Sequence, residues 1–433
     1  MPGPVVIVGG GFSGAMLAVR LAERGVGSVL INRTPDIGLG VAYSTPFDGH
    51  LLNVRSGRMS AVDGAPDDFL DWLRARHPDR ADPDGFAPRR LFGLYVQARL
   101  AAAEAAHPGR MDRVVGEAVA FDEDGVRLAD GRIVAGAAVV LATGNPAPRT
   151  ATGDEANDRV LADPWAPGAL SRIGAEDDIL IIGTGLTMVD MLLQLTASGW
   201  RGRATALSRR GLLPRGHRPE PTEPTEPTPG MVTGPASQRL GDGRHLARTA
   251  GWRAVMDGLR PVTADLWRDA DSAVRARLLR HLRPWWDVHR HRLAPVVAGT
   301  IDGLLADGRL RIMAGRVRRI ETGAGAVTLH WKPRGATTGQ TLESAWLIDC
   351  TGPGHDPVRD PLTGPLIAAG QARLDALGLG LDLDAYGRVL SADGVPDPRL
   401  FVLGPPARAA FWETIAVPDI RKRIEAVVTA LTA

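Results

Sequence analysis

Two glycine-rich turns recur in this chain, and each follows an apolar strand and opens a helix. The first reads Val5-Val6-Ile7-Val8-Gly9-Gly10-Gly11-Phe12-Ser13-Gly14 and the second Ile179-Leu180-Ile181-Ile182-Gly183-Thr184-Gly185-Leu186-Thr187-Met188. The first glycine of such a turn permits the sharp reversal. The second lets the backbone approach a pyrophosphate, and the third lets helix and strand pack closely. The helix that follows offers unpaired N–H groups and a partial positive charge to the phosphates. One such turn says little. Two predict a pair of dinucleotides in one chain, one to be reduced and one to reduce it, which is the layout of FAD fed by a nicotinamide coenzyme.

The rest of the chain repeats around these turns. After each comes a helix and a second strand, at 28–31 and again at 204–207. Later comes a stretch of short alternating strands, at 114–141 and at 310–347. Asp124-Gly125 and Asp130-Gly131 supply turns for the first stretch. Each half closes on an apolar strand running into Thr-Gly, at Thr143-Gly144 and Thr351-Gly352. Helices are predicted at 15–23, 67–76 and 88–106, the last stopped by His107-Pro108-Gly109. Two segments break the repeat. Residues 219–230 are Pro, Glu and Thr ending in Gly, lack apolar anchors and read as a mobile extended loop. Residues 238–306 read as a helical, Arg- and Trp-rich insertion.

The predicted fold is therefore α/β: two dinucleotide-binding, Rossmann-like, three-layer domains with a helical insertion. The expected division is an FAD-binding domain over 1–165 completed by 346–433. An NADPH-binding domain is expected over 166–215 and 307–345, with the loop and helical insertion over 216–306. A length of 433 residues accommodates such domains.

Charge narrows the partners. The formal net charge is only +2, and Lys332 and Lys422 are the only lysines among 51 basic residues. No run of like charge resembles a nucleic-acid-binding arm. No apolar run is long enough to span a membrane, and the first strand begins at Val5, leaving no room for a signal peptide. A cytoplasmic protein acting on a small molecule is expected, as monomer or homodimer. Cys350 is the single cysteine, which excludes a cysteine-pair electron relay, and no metal site is expected. His289 and His291, two apart on a helix, point different ways.

Within the first turn, Gly9, Gly11, Phe12, Ser13 and Gly14 are assigned to FAD. At the end of its second strand stands Asn32, where an acid usually accepts the ribose hydroxyls. Asn32 either accepts through its amide oxygen or caps the loop before Thr34-Pro35. Arg33, Tyr43, Thr143 and Gly144 complete the assigned contacts on this side. In the second turn, Gly183, Gly185, Leu186 and Thr187 are assigned to the nicotinamide coenzyme, with Met188 in the third glycine position. Its second strand ends in Ser208-Arg209-Arg210. Arginines there bind a 2′-phosphate through forked, charge-assisted hydrogen bonds, favouring NADPH; the alternative is a solvated basic pair.

Longer runs resemble a known family. Gly38-Leu39-Gly40-Val41-Ala42-Tyr43-Ser44-Thr45, His50-Leu51-Leu52-Asn53-Val54 and Gly57-Arg58-Met59-Ser60 are similar to the bacterial FAD/NAD(P)-binding proteins, relatives of the class B flavin monooxygenases. So are 183–190, 208–214, 280–292 and Phe411-Trp412-Glu413-Thr414-Ile415-Ala416-Val417-Pro418-Asp419-Ile420. The resemblance implies an FAD domain built from both chain ends with the NADPH domain inserted. It also implies monooxygenation, in which oxygen adds to C4a of the reduced flavin and O2 is a co-substrate. A small amine or other soft nucleophile is then the expected substrate. The alternatives are an NADPH-dependent flavin dehydrogenase with an organic acceptor and a non-catalytic flavin-binding sensor.

The resemblance also implies roles for single residues. Asn53 falls at the flavin's reactive edge or is a turn residue, and Arg58 and Met59 lie close by. Gly352, Gly404, Ile415 and Ala416 are assigned to cofactor contacts. A helix starting near Val417 would turn its positive end toward the flavin. Pro405 stands where many such flavoproteins carry Asp, and Asp163-Pro164-Trp165 stands where relatives carry a Phe-x-Gly-x-x-x-His motif. Trp412 is a candidate pocket wall. The His281, His289, Arg290, His291 and Arg292 cluster reads as an anion contact or as structure, with Trp285 and Trp286 packing the insertion onto the NADPH domain.

Overall fold

The computed structural model describes residues 3–122, 125–146, 158–323, 325–352, 354 and 356–433. Strand β1 (Val5–Val8), helix α1 (Phe12–Glu23) and strand β2 (Ser28–Asn32) form the first βαβ unit. Short α2 (Gly40–Tyr43), then α3 (Asp68–Arg76) and α4 (Arg89–Ala106), lead to β3 (Met111–Val115). Strand β3 pairs parallel with β2, so it joins the main sheet. The expected start of the alternating strands at Val114 is corrected accordingly. They begin at β4 (Ala118–Asp122) and continue through β5 (Gly125–Leu128) and β6 (Ile133–Val134), a separate three-stranded antiparallel sheet. The Asp130-Gly131 turn is present, with Gly131 at φ +89°. Asp124 lies outside the described residues. Strand β7 (Ala138–Leu141) returns to pair with β1.

The second unit opens with β8 (Val160–Leu161), β9 (Ile179–Ile182), α5 (Leu186–Ala197) and β10 (Ala204–Ser208). Residues 216–228 form neither helix nor strand apart from a bridge between Gly216 and Leu293, and helices then fill the insertion. They are α6 (Pro229–Thr233), α7 (Ala236–Thr249), α8 (Trp252–Leu259), α9 (Thr263–Arg268), α10 (Ser272–Arg277), α11 (Arg283–Arg290) and α12 (Pro295–Ala306). Strand β11 (Leu310–Thr322) does two jobs. Its first five residues pair parallel with β10, and from Gly315 it pairs antiparallel with β12 (Val327–Pro333), which pairs with β13 (Gln340–Ser344). One strand thus serves here as both β3 and β4 do in the first half.

Strand β14 (Trp346–Asp349) lies between β9 and β8 in the second sheet. This moves two expected boundaries: residues 160–161 and 346–349 belong to the second sheet, not the first. The C-terminal part adds α13 (Thr363–Ala368), β15 (Arg388–Leu390), β16 (Pro396–Val402), α14 (Arg408–Phe411) and α15 (Val417–Thr432). Strand β16 pairs with β7, giving the order β15-β16-β7-β1-β2-β3 for the first sheet and β13-β12-β11-β10-β9-β14-β8 for the second.

Each sheet is covered on both faces because its central strand is apolar throughout and alternates direction. Val5 and Ile7 pack against α1, α4 and α15, while Val6 and Val8 pack against the β4–β6 sheet and β16. Ile179 and Ile181 face α5 and α12; Leu180 and Ile182 face Val327, Leu329 and Trp331 of β12. Both units have three layers. Among the described residues no helix is long and apolar enough to cross a membrane.

The proline-rich run is not a free loop. The Thr225 N–H donates to the carbonyl of Ala254 in α8 at 3.1 Å, and a Cβ on Gly258 would collide with Thr225 backbone. With few N–H groups of its own, the run docks by close contact on a helix that offers a glycine.

The same steric device closes both dinucleotide turns. Gly9 has φ +113° and Gly183 φ +107°, and a Cβ at either would fall less than 3.0 Å from the carbonyl of the neighbouring strand's end, Ala142 or Cys350. Gly183→Ala is therefore expected to cost on the order of 3 kcal/mol in chemical denaturation. Gly185→Ala, with open space at its Cβ, is expected to stay within about 0.5 kcal/mol.

Candidate functional site

The two turns carry room for phosphate. Gly11 and Gly185 are the N-caps of α1 and α5, and neither helix start is capped by a side chain. The first N–H groups of each helix therefore have no intrahelical partner. A Cβ on Gly185 would meet nothing within 4 Å, and one on Gly11 only the Cα of Gly40 at 3.6 Å. That open cradle fits a pyrophosphate at each turn. Gly14 supplies the close helix–strand packing of the first turn, and Met188, fully buried, takes that position in the second.

Around the first turn the assigned residues divide. Asn32 Oδ1 accepts from the Gly10 N–H at 3.1 Å, and its Nδ2 donates to the carbonyls of Thr34 at 2.8 Å and Asp36 at 3.1 Å. Asn32 thus holds the glycine turn to the loop beyond β2. An aspartate could not make the two donations, which is a physical reason for an amide at this position. Phe12 is buried and packs in an aromatic group with Phe92 and Tyr43, at 5.7 and 6.4 Å between ring centroids. Burial raises the Tyr43 hydroxyl's pKa. Arg33 makes an exposed ion pair with Glu117 at 3.2 Å. Ser13 lies beside Gly404, which takes φ +78°, so the far end of the chain closes over the first helix start. Pro405 opens a 3₁₀ turn, Pro405–Ala407. Thr143 is exposed at the strand end, and Gly144 takes φ +74°.

Around the second turn, Ser208 is occupied by structure. Its Oγ accepts from the Gly211 N–H at 3.0 Å and lies 2.9 Å from Thr184 Oγ1, which donates to the Leu212 carbonyl at 2.6 Å. This knot fixes the 208–212 turn and leaves Arg209 exposed. Arg210 reaches the Arg280 carbonyl at 3.4 Å. Leu186 and Thr187 are half-buried in the first turn of α5. Asp349, which the sequence reading missed, sets the following turn. Its Oδ1 accepts from the Thr351 N–H at 2.9 Å and from Oγ1 at 2.7 Å, ahead of Gly352 at φ +90°. Cys350 is buried behind the turn, and burial raises its thiol pKa well above the ordinary value.

The units are joined by a buried hub. Arg89, the first residue of α4, donates to both carboxylate oxygens of Asp190 in α5, at 2.8 and 3.0 Å, and to the Leu51 carbonyl at 3.1 Å. His50, fully buried, donates through Nε2 to the Asp190 carbonyl at 3.0 Å and accepts through Nδ1 from Thr45 Oγ1 at 2.7 Å. Burial lowers its pKa. Trp165 packs edge-on against His50.

Next to this hub is a small, solvent-open cleft. Asn53 and Arg58 line it, as do His217 and Asp257 from the second unit and the insertion. His217 Nε2 donates to the Asn53 carbonyl at 3.1 Å, and the His217 N–H donates to Leu293 at 2.8 Å. Met59 is buried in the first core. Trp412 is not among the residues lining this cleft. It has φ +59° and stacks on Trp267 at 4.6 Å, so the two catalytic candidates, Asn53 and Trp412, do not meet there. Ile415 is exposed and Ala416 is the N-cap of α15, again without a side-chain cap.

The insertion's aromatic side chains anchor differently from expectation. Trp286 Nε1 donates to Glu413 Oε1 at 2.8 Å and Trp267 Nε1 to the Ala409 carbonyl at 2.7 Å, while Trp285 is exposed. The C-terminal segment, not the NADPH side, receives Trp286, because it alone presents a carboxylate to the indole N–H. Core packing of Val297, Ile301 and Leu304 from α12 ties the insertion to the second sheet instead. His289 Nδ1 bonds the Trp285 carbonyl, Arg290 pairs with Glu413 and Asp419 at 3.4 Å, and Arg292 pairs with Asp257. His281 is exposed and His291 half-buried. Among the described residues no three His, Cys, Asp or Glu side chains are grouped to hold a metal ion.

Two three-layer dinucleotide-binding units clasping one cleft define the class: the paired-nucleotide fold of flavoproteins. Residues 6–146 match the family described as FAD-NAD(P)-binding. Three solved structures share the fold over nearly the whole chain. The ornithine N-hydroxylase of Kutzneria sp. 744 is 17% identical with TM-score 0.69, covering 99% of both chains. The cadaverine monooxygenase DfoA of Erwinia amylovora is 15% identical with TM-score 0.70, covering 100% of this chain and 95% of its own. The ornithine hydroxylase PvdA of Pseudomonas aeruginosa is 16% identical with TM-score 0.64, covering 100% and 99%. No curated protein sequence matches the chain.

Two measurements test the hub and the cleft wall. Arg89→Met strands the buried Asp190 carboxylate and is expected to cost about 3–5 kcal/mol; Arg89→Met with Asp190→Leu should recover most of it in denaturant titrations. Burial and the Arg292 charge lower His217 from 6.5 to about 4. The folded protein therefore binds this proton more weakly than the unfolded chain does. Its contribution to stability is complete above pH 6.5 and is lost as pH falls toward 4, at up to about 1.4 kcal/mol per pH unit. His217→Gln should flatten that part of the stability–pH curve; an unchanged slope contradicts the assignment.

Proposed function

We propose that the protein is an FAD-dependent, NADPH-reduced monooxygenase of a small amine or other soft nucleophile. The observation that carries the reading is the doubled turn. Gly11 and Gly185 are both open where Gly9 and Gly183 are sterically obligatory, so each unit keeps a phosphate cradle that packing alone does not require. The full-length likeness in fold to an ornithine N-hydroxylase and a cadaverine monooxygenase supports this reaction class. For an amine the balance is R–NH2 + O2 + NADPH + H⁺ giving R–NHOH + NADP⁺ + H2O. Bound flavin supplies hydride acceptance and oxygen activation.

The chain's own part is binding and enclosure. In this reading the first unit, made from both chain ends, holds FAD at Gly9, Gly11, Ser13 and Gly14, and the second holds NADPH at Gly183, Gly185 and Thr187. Arg209, exposed beside the Ser208 knot, takes the 2′-phosphate. The side chains of Asn53 and Arg58 lie at the flavin's reactive edge. The N-terminus of α15, with uncapped N–H groups behind Ala416, stabilises negative charge on the reduced ring.

Loading the protein with FAD and adding NADPH anaerobically should bleach the flavin. Reoxidation by air with an amine present should yield hydroxylamine, and peroxide as the sole product would rule out monooxygenation of that amine. Arg209→Ala is expected to weaken NADPH by roughly 10- to 150-fold with little effect on NADH, from the loss of one charge-assisted hydrogen bond. Equal losses for both coenzymes would remove Arg209 from the phosphate site.

A further inference from the structure

Six arginines line the Asn53 cleft, and only half of them are neutralised. Arg292 pairs with Asp257. Arg260 and Arg290 share Asp419, at 3.2 and 3.4 Å, and Arg290 also pairs with Glu413. The other three have no carboxylate partner among the described residues: Arg58 and Arg218 stand exposed at the cleft mouth, and Arg55 is buried. Arg55 is only 9% exposed, and its guanidinium is held by the carbonyls of Asp84, Arg218 and Pro219. These fix its position without cancelling its charge. Arg290, 8% exposed, has a buried Nε with no hydrogen-bond partner. Buried charges are ordinarily paired, so Arg55 without a carboxylate and the Arg290 Nε without a partner, with two further guanidinium groups at the mouth of the same cleft, favour an anion there. Planar guanidinium forks match carboxylate and phosphoryl oxygens.

We propose that this cleft binds a small organic anion carrying at least two acidic groups, held by Arg55, Arg58 and Arg218 beside Asn53. The proposal rests on the monooxygenase reading for what happens to the ligand next, and it narrows that reading. The substrate's reacting group is carried on an acidic scaffold, and a bare diamine is disfavoured by like charge. His217 adds no positive charge of its own. It is neutral near pH 7, its pKa lowered first by burial and then by the Arg292 and Arg55 charges. Pro221 and Thr222 of the proline-rich run also line the cleft, between the exposed Glu220 and Glu223.

The test compares three probes of small size by calorimetry on the full, FAD-loaded chain at low ionic strength: glutarate, inorganic phosphate and cadaverine. Glutarate and cadaverine have the same five-carbon backbone and opposite charge. Binding of glutarate or phosphate, without binding of cadaverine, is expected. Arg218→Gln should weaken the bound anion at least tenfold, and Arg218→Lys should restore part of the loss. Phosphate binding more tightly than glutarate would place a phosphoryl group on the natural ligand; the reverse order would place carboxylates. Absence of binding by both anions, binding of cadaverine alone, or equal anion affinity in Arg218→Gln and the parent would overturn the proposal. Flavin bleaching by NADPH is recorded on the same samples. Bleaching without anion binding refutes the cleft and spares the monooxygenase reading, whereas anion binding without bleaching does the opposite.

Discussion

The bidentate pair between Arg89 and Asp190 sets how the two units meet. Each partner sits in the first turn and a half of a helix, α4 in one unit and α5 in the other, and both are nearly excluded from water. Such a pair adds little net stability over an apolar substitute, because desolvating two charges offsets most of their attraction. What it does contribute is geometry. A guanidinium fork meets a carboxylate in few orientations, and His50 adds a third bond to the same residue's carbonyl. The position of the cleft between Asn53 and His217 rests on that docking together with the bonds from Arg55 to the Arg218 carbonyl and from His217 to the Asn53 carbonyl.

Much of this architecture was legible in the chain. The apolar runs at β1 and β9 lie at the centre of their sheets, and the glycines that open them adopt the conformation such a turn requires. The start of the last helix at Val417 follows from Pro418 in its first turn. Strand register was harder to read. Met111–Val115 has the alternation of an exposed strand, yet it pairs parallel with β2, because pairing depends on the neighbour available and not on local pattern. Strand β11 hid two roles in one uninterrupted run. Asn32 was weighed between two functions, and its side-chain bonds to Gly10, Thr34 and Asp36 show how it also holds the turn.

The cleft was the least legible feature. Asn53 and Arg58 come from one loop, His217 and Arg218 from the segment that follows the second βαβ unit, and Asp257, Arg260, Arg290 and Arg292 from separate helices and turns of the insertion. No spacing in the chain announces that these approach one another. The Arg/His run at 280–292 attracted notice by composition, but its ion pairs with Asp257, Glu413 and Asp419 show it acting as a fastener between the insertion and the C-terminal segment. The uncompensated charge came from residues that looked ordinary in sequence. A positive cleft in a chain of net charge +2 is a matter of placement, not of total charge.

The proline-rich run has a consequence for how this cleft could change over time. It contains Glu-Pro-Thr three times in succession, and Pro221 and Thr222 of the first triplet line the cleft. Gain or loss of one triplet changes the length of this rim by three residues and keeps the order of its side chains. The sheets, the glycine turns and the Arg89–Asp190 docking are untouched by such a step. The edge of the cleft can thus be resized in fixed increments while the framework that positions it stays constant.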